Sequence, residues 1–201
     1  LPSGLRPRWK LSKKKVDQSA VLLTGSTGFL GAHLLAELLN TTTLPIYCLI
    51  KPDSRDRSDL NAQQCEALMR FGLDINQMGE RIRPIAGDLA CTGLGLSAAC
   101  LKRLSDHCSH IIHCGAFVNH IHGYARLRAA NTLSTLELIR LAMRGRPKKL
   151  SFISTASAIT DVDVEGLGYE GRVGSAPSDT FGGYALSKWA SERLLEQAFQ
   201  R

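Results

Sequence analysis

The stretch AVLLTGSTGFLGAHLLAELLN, residues 20–40, restricts the possible folds of this chain more tightly than any other feature. A continuous apolar run ends in glycine, two more glycines follow at 28 and 31, and leucines and alanines then recur at helical spacing. A short unbroken apolar run bounded by glycine reads as a strand buried on both faces, and the periodic run as a helix packed against it. Glycine at the junction lets the backbone turn tightly and lets a ligand approach the main chain. Free N–H groups and the helix dipole then favour an anion at the helix start. Gly25, Ser26, Thr27, Gly28, Phe29, Leu30 and Gly31 are therefore expected to form a pyrophosphate-binding turn, because strand, turn and helix occur in the order that such a turn requires.

The alternation continues along the chain. LPIYCLIK, RIRPIAGDL, HIIHCGA and KLSFISTAS are further strand candidates, separated by the helix candidates NAQQCEALMRFGL, LSAACLKRLSDH and YARLRAANTLSTLELIRLAMR. YALSKWASERLLEQAF closes the series. Five apolar strands alternating with helices predict an α/β fold, a Rossmann-type doubly wound parallel sheet covered on both faces. The glycine-rich segment DVDVEGLGYEGRVGSAPSDTFGG, before the last helix, is expected beside the carboxyl ends of the strands, where open α/β sheets bind ligands.

Composition enters where partners are concerned. At 201 residues, 44% hydrophobic and 21% charged, the chain has the make-up of one ordinary globular domain. The net charge of +7 is concentrated in LPSGLRPRWKLSKKK, where Arg6, Arg8, Lys10, Lys13, Lys14 and Lys15 precede the first acid, Asp17. The remaining body is near neutral, so residues 1–19 read as a basic linker rather than a nucleic-acid-binding fold. No apolar run reaches the roughly 20 residues of a membrane span and no signal-peptide core is present, which predicts a cytoplasmic protein. Six cysteines lack paired spacing and read as reduced core residues. DHCSHIIHCGAFVNHIH gathers His107, Cys108, His110, His113, Cys114, His120 and His122, yet contains neither CxxC nor HExxH. No metal site is expected there.

Roughly 20 residues beyond the glycine turn, an acidic side chain would accept from the ribose 2′-hydroxyl of NAD. Lys51 stands in that region, and a cation suits a 2′-phosphate, so NADPH is the expected cofactor of a domain spanning residues 20–201. Arg55 and Arg57 reinforce that choice and Asp53 opposes it. AGDL and HCGA end two strands in residues suited to a flat adenine and a ribose. Asp88 is placed to accept from the adenine amino group, with Leu89, Gly115 and Ala116 close by. Tyr184 and Lys188, at i and i+4, share one face of the last helix. A phenol ionises near pH 10, and a neighbouring ammonium would lower that value, making a tuned proton donor to a carbonyl oxygen receiving hydride. Ser154, Thr155 and Ser157 of FISTAS are all candidates to donate to the same oxygen. Asn131 either holds a water in the proton path or packs helices.

Together these residues resemble the extended short-chain dehydrogenase/reductases. LLTGSTGFLGAHLLAELL, YCLIK, GDLACTGLGLS, IIHCGAFVNHIHGYARLRAANTLSTLELIRLA, FISTAS and GGYALSKWASERLL are similar to the thioester reductase domains of nonribosomal peptide synthetases, polyketide synthases, carboxylic acid reductases and aminoadipate reductases. The resemblance implies a catalytic triad of Thr155, Tyr184 and Lys188, with Lys188 also holding the nicotinamide ribose. Lys51 replaces the arginine usual after the second strand, and Cys114 replaces a common asparagine. The implied substrate is an acyl or peptidyl chain held as a thioester on the phosphopantetheine arm of a carrier protein. NADPH-dependent reduction gives a hemithioacetal that collapses to aldehyde and thiol, and some relatives reduce the aldehyde again to an alcohol. Extended reductases continue well past the Tyr-Lys helix, so a C-terminal substrate subdomain is expected to be largely missing here, the chain being a monomeric domain of a larger multidomain protein. The competing expectations are a nucleotide-sugar epimerase or dehydratase of the same superfamily and a redox-silent NADP-binding module.

Overall fold

Successive residues of a strand face opposite sides of a sheet, and AVLLT uses both. Ala20 and Leu22 enter one core with Tyr47, Leu49, Leu104, Ile111 and Leu138, while Val21 and Leu23 enter the other with Ala32, Leu35, Cys48 and Leu68. A strand that must be apolar on both faces cannot show the polar alternation of a surface strand, which is why the run is continuous. The computed structural model describes residues 8–9, 19–53, 59–73, 79–169, 173–175, 177 and 181–200.

Strands β1 (Arg8–Trp9), β2 (Ala20–Thr24), β3 (Ile46–Ile50), β4 (Ile82–Ala86), β5 (Cys108–His113), β6 (Arg144–Gly145) and β7 (Lys149–Phe152) occur in that order. The helices are α1 (Phe29–Thr41), α2 (Leu60–Arg70), α3 (Ala98–His107), α4 (Tyr124–Arg128), α5 (Ser134–Ala142) and α6 (Gly183–Phe199). The main sheet runs β4-β3-β2-β5-β7 with every pair parallel, and β1 pairs separately with β6. Chain order grows outward from β2 to β4 and then jumps back to β5 on the other side. The switch point therefore lies between β2 and β5, and a ligand crevice opens outside their carboxyl ends. Helices α1 and α2 contribute to one core, α3 and α5 to the other.

Local chemistry fixes several ends. Asp59 caps α2 by accepting from Asn61 and Ala62 N–H at 2.8 and 3.1 Å, and Ser97 caps α3 by accepting from Cys100 N–H. Two expected elements are shorter than the sequence suggests. The strand in KLSFISTAS stops at Phe152, because a 3-10 turn over Ala156–Ala158 follows, capped by Thr155. The helix expected across YARLRAANTLSTLELIRLAMR is divided by a π-helical turn, Ala129–Leu133. Arg8 and Trp9 lie within the span read as a linker, and their backbones pair with Arg144 and Gly145. Arg6, Lys10, Lys13, Lys14, Lys15, Arg55 and Arg57 lie outside the described residues.

Candidate active site

The turn after β2 is built by backbone pressed on backbone. A Cβ on Gly31 would stand 1.9 Å from the Gly25 carbonyl oxygen, and one on Gly25 would stand 2.6 Å from Gly115 Cα. Gly25 also adopts φ +78°, where an L side chain is strained. Gly28 N–H donates back to Gly25 O at 3.0 Å, and Gly28 then begins α1 without a capping side chain. A cleft of about 930 Å³ opens over this turn, toward the upper end of the size range of small-molecule sites.

Among the described residues, Gly25, Thr27, Gly28, Phe29, Leu30, Gly31, Lys51, Asp88, Leu89, Gly115, Ala116, Tyr184 and Lys188 all line the cleft. Ser26 and Thr155 do not. Ser26 is fully buried, its hydroxyl donating to Gln64 Oε1 at 2.6 Å while Gln64 Nε2 donates to Ser26 O at 3.1 Å. That side chain joins the turn to α2. Thr155 lies just beyond Ser154, with its Oγ1 accepting from Ser157 N–H at 3.3 Å. At the other end of the cleft, Lys51 Nζ meets Asp88 Oδ2 at 2.9 Å.

The floor is a buried relay that no motif in the sequence announces. Gly115 N–H donates to Thr24 Oγ1 at 3.0 Å, and Thr24 Oγ1 lies 2.8 Å from His113 Nδ1. Ser134 Oγ donates to Ala130 O at 2.6 Å and lies 3.4 Å from His113 Nε2. Every group is satisfied when Thr24 donates to Nδ1 and the imidazole proton sits on Nε2, facing Ser134. Burial, with the nearby Lys188 charge adding to it, pushes His113 down to about 3. The ring is neutral, and it ties the floor of the glycine turn to the π-helical turn.

Lys188 is 3% exposed; its ammonium donates to Ile153 O at 2.6 Å and lies 4.5 Å from the Phe152 ring centre. Burial lowers its pKa to about 8 against the opposing pull of Cys114 and Glu192. Tyr184 is half-buried, with its ring edge-on to His120 at 5.5 Å. Burial and then the Cys114 thiol push the phenol upward, the reverse of the expected lowering. The physical reason is that the phenol loses solvent on burial, which disfavours the phenolate. Ser154 is on the cleft wall, its hydroxyl donating to Glu192. Of the two readings of Asn131, packing is observed. Its Oδ1 accepts from Phe117 N–H at 2.7 Å, and its Nδ2 donates to Phe117 O at 3.1 Å and to Ser187 Oγ at 2.9 Å. The side chain therefore fastens the loop after β5 to α6, one residue before Lys188.

Among the described residues no cluster of three His, Cys, Asp or Glu side chains is arranged for a metal, and no helix is long and apolar enough to cross a membrane. The residues present fit a dinucleotide: a backbone cradle at a helix start, closed to any Cβ at Gly31, leads along one cleft to Tyr184 and Lys188. The pattern of the NAD-binding family described as Male sterility protein matches residues 23–201. The isonitrile lipopeptide synthase of Streptomyces coeruleorubidus is 41% identical over all of this chain and 14% of its own length. A linear gramicidin synthase polypeptide of Brevibacillus parabrevis is 37% identical over 90% of this chain and 4% of its own. The crystal structure of the terminal R domain from the myxalamid PKS-NRPS biosynthetic pathway superposes with a TM-score of 0.78 at 38% identity, covering 91% of this chain and 46% of that one. The chain thus spans under half of that R domain and a small part of the two synthases. With its parallel sheet and glycine cradle in one frame with that R domain, the chain is similar to reductase domains of nonribosomal peptide and polyketide synthases, and it belongs to the NAD-binding family described as Male sterility protein.

Proposed function

We propose that this chain is the cofactor-binding and catalytic part of an NADPH-dependent thioester reductase, which releases a carrier-protein-bound acyl or peptidyl chain as an aldehyde. The observation that carries the reading is the convergence of Tyr184 and Lys188 on the same cleft as the glycine turn. NADPH is favoured over NADH by Lys51, a cation at the adenosine end where NAD-specific sites place a carboxylate. Bound there, NADPH supplies the hydride that reduces the thioester carbonyl carbon.

The chain's own residues manage the charge that this reduction creates. Tyr184 donates its phenolic proton to the carbonyl oxygen as negative charge develops on it. Lys188, positioned by Ile153 O, stabilises the phenolate left behind. Thr155 donates to the same oxygen: its Oγ1 accepts from Ser157 N–H, which leaves the hydroxyl proton free, whereas the Ser154 proton is committed to Glu192. Collapse of the hemithioacetal breaks the C–S bond and returns the phosphopantetheine thiol to the carrier. That this chain matches only a small part of two long synthases supports a carrier domain as the partner.

The test follows NADPH consumption by the intact polypeptide containing this chain, against a model acyl-phosphopantetheine thioester. Tyr184→Phe is expected to lower turnover by about 10²–10⁴-fold while leaving NADPH affinity within about threefold. Equal turnover by parent and variant would sink the catalytic assignment.

A further inference from the structure

The two charged residues at the adenosine end are paired with each other, and they differ in freedom. The Lys51 side chain is 72% exposed and that of Asp88 27%. Asp88 is held at two points: its N–H donates to Leu94 O at 2.9 Å, and its Oδ1 accepts from Ala90 N–H at 2.8 Å. Leu94, fully buried, has φ +60° between Gly93 at +62° and Gly95 at +67°. A left-handed leucine is unfavourable and persists only where its surroundings over-determine it. Here those surroundings are the core that buries its side chain and the hydrogen bonds of the 88–96 loop. The turn over residues 88–96 thus holds Asp88 by both its backbone and its carboxylate, while the Lys51 side chain is largely exposed.

We infer that Asp88 sets the cofactor choice at this site, by competing with a ribose 2′-phosphate for the Lys51 ammonium and so narrowing the preference for NADPH over NADH. This rests on the proposed reading of the cleft as a nicotinamide dinucleotide site. A 2′-phosphate that takes up Lys51 must displace the Asp88 carboxylate, and it then stands near a negative charge that the turn prevents from withdrawing. The ribose hydroxyls of NADH neither require Lys51 nor meet that repulsion. Lys51 holds Asp88 ionised: burial raises the carboxyl, but the Lys51 and Ala90 hydrogen bonds outweigh it and the net shift is downward.

Equilibrium titrations of NADPH and NADH, read by nicotinamide fluorescence, test this on the parent protein, Asp88→Asn, Lys51→Met and the double variant. Asparagine keeps a carbonyl for Ala90 N–H and removes the charge. Asp88→Asn is expected to raise the NADPH-to-NADH affinity ratio about tenfold, since any lost adenine contact weakens both cofactors alike and cancels in the ratio. The rise should be smaller in the Lys51→Met background, where there is no ammonium to compete for. Asp88→Ser, which also retains an oxygen for the Ala90 cap, should shift the ratio in the same direction and serves if the asparagine variant folds poorly. An unchanged or reduced NADPH-to-NADH preference in both variants overturns the inference while the cleft reading stands. A parent protein that binds neither cofactor overturns the cleft reading and this inference together.

Discussion

The two ends of the cleft are built by different means. At the glycine turn, main chain lies against main chain: Gly25 on Gly115, and Gly31 on Gly25, with less than 3 Å left for any Cβ. At the Tyr-Lys end, side chains from distant segments reach across to one another: Lys188 to Ile153, Asn131 to Ser187, Ser154 to Glu192. A backbone contact of that closeness admits one residue type, whereas a hydrogen-bonded side-chain network can lose a member and still hold its shape. The first end should therefore fail abruptly on substitution, and the second by degrees.

Two glycines of the same turn give the hardest test of that contrast. Gly31→Ala places a methyl group 1.9 Å from Gly25 O with only backbone to yield, at an expected cost of about 3 kcal/mol or more. Gly28→Ala meets Gly25 O at 3.4 Å, an ordinary contact, at φ −88°. Its fold should hold within about 1 kcal/mol, while NADPH affinity falls at least about tenfold, because the methyl group occupies the approach to the cradle. Thermal unfolding beside a cofactor titration separates the two outcomes. Equal loss of stability in both variants would remove the distinction between a glycine the fold needs and a glycine the ligand needs.

The same contrast decides what was legible in the sequence. Gly25, Gly28 and Gly31 could be read because a close backbone approach leaves a single-residue signature. Strands β2 and β3 were legible because burial on both faces leaves a continuous apolar run, whereas β4 and β7, at the sheet edges, are partly exposed and showed through their alternation with helices. Lys51 was placed by spacing and Asp88 by its position at a strand end, but their mutual pairing was not legible, since it depends on how β3 and β4 lie side by side. HIIHC showed a buried strand and gave no sign that His113 would join Thr24, 89 residues earlier, to Ser134. The π-helical turn was hidden for a related reason: AANTL is ordinary helical sequence, and contacts across the fold distinguish it, among them those of Asn131 with Phe117 and Ser187 and of Thr132 with Ser187 O. The upward shift of Tyr184 was not legible because i, i+4 spacing states which face two side chains share, not how much solvent the phenol loses.

His113 lies beneath both ends and gives the next largest effect, one governed by pH. An unfolded histidine takes up a proton near pH 6.5, whereas the folded ring, buried beside Lys188, does so only at about 3. Between those values the unfolded chain binds the extra proton. Stability is therefore lost as pH falls through 6.5, by up to about 1.4 kcal/mol per pH unit from this one group. Urea unfolding at pH 7, 6 and 5 should show this slope in the parent and its absence in His113→Gln, whose amide cannot titrate. Parallel curves for the two proteins would mean that the ring is not held neutral, and the relay from Gly115 to Ser134 would need another account.

The last contrast falls within the side-chain network, on two adjacent hydroxyls. Ser154 lines the cleft, but its proton goes to Glu192; Thr155 stands off the lining, yet among the described residues its Oγ1 only accepts, from Ser157 N–H. Position alone favours serine as the oxyanion donor, whereas proton availability favours threonine. Since a hydroxyl stabilises an oxyanion only by donating, availability should decide. Thr155→Ala is expected to lower thioester turnover by about 10²-fold, and Ser154→Ala to leave it within about threefold. Steady-state rates at saturating NADPH distinguish the cases. The reverse ranking would mean that a bound substrate draws the Ser154 proton away from Glu192, and the tunable end of the cleft would then be rearranged by its ligand, in contrast to the glycine cradle.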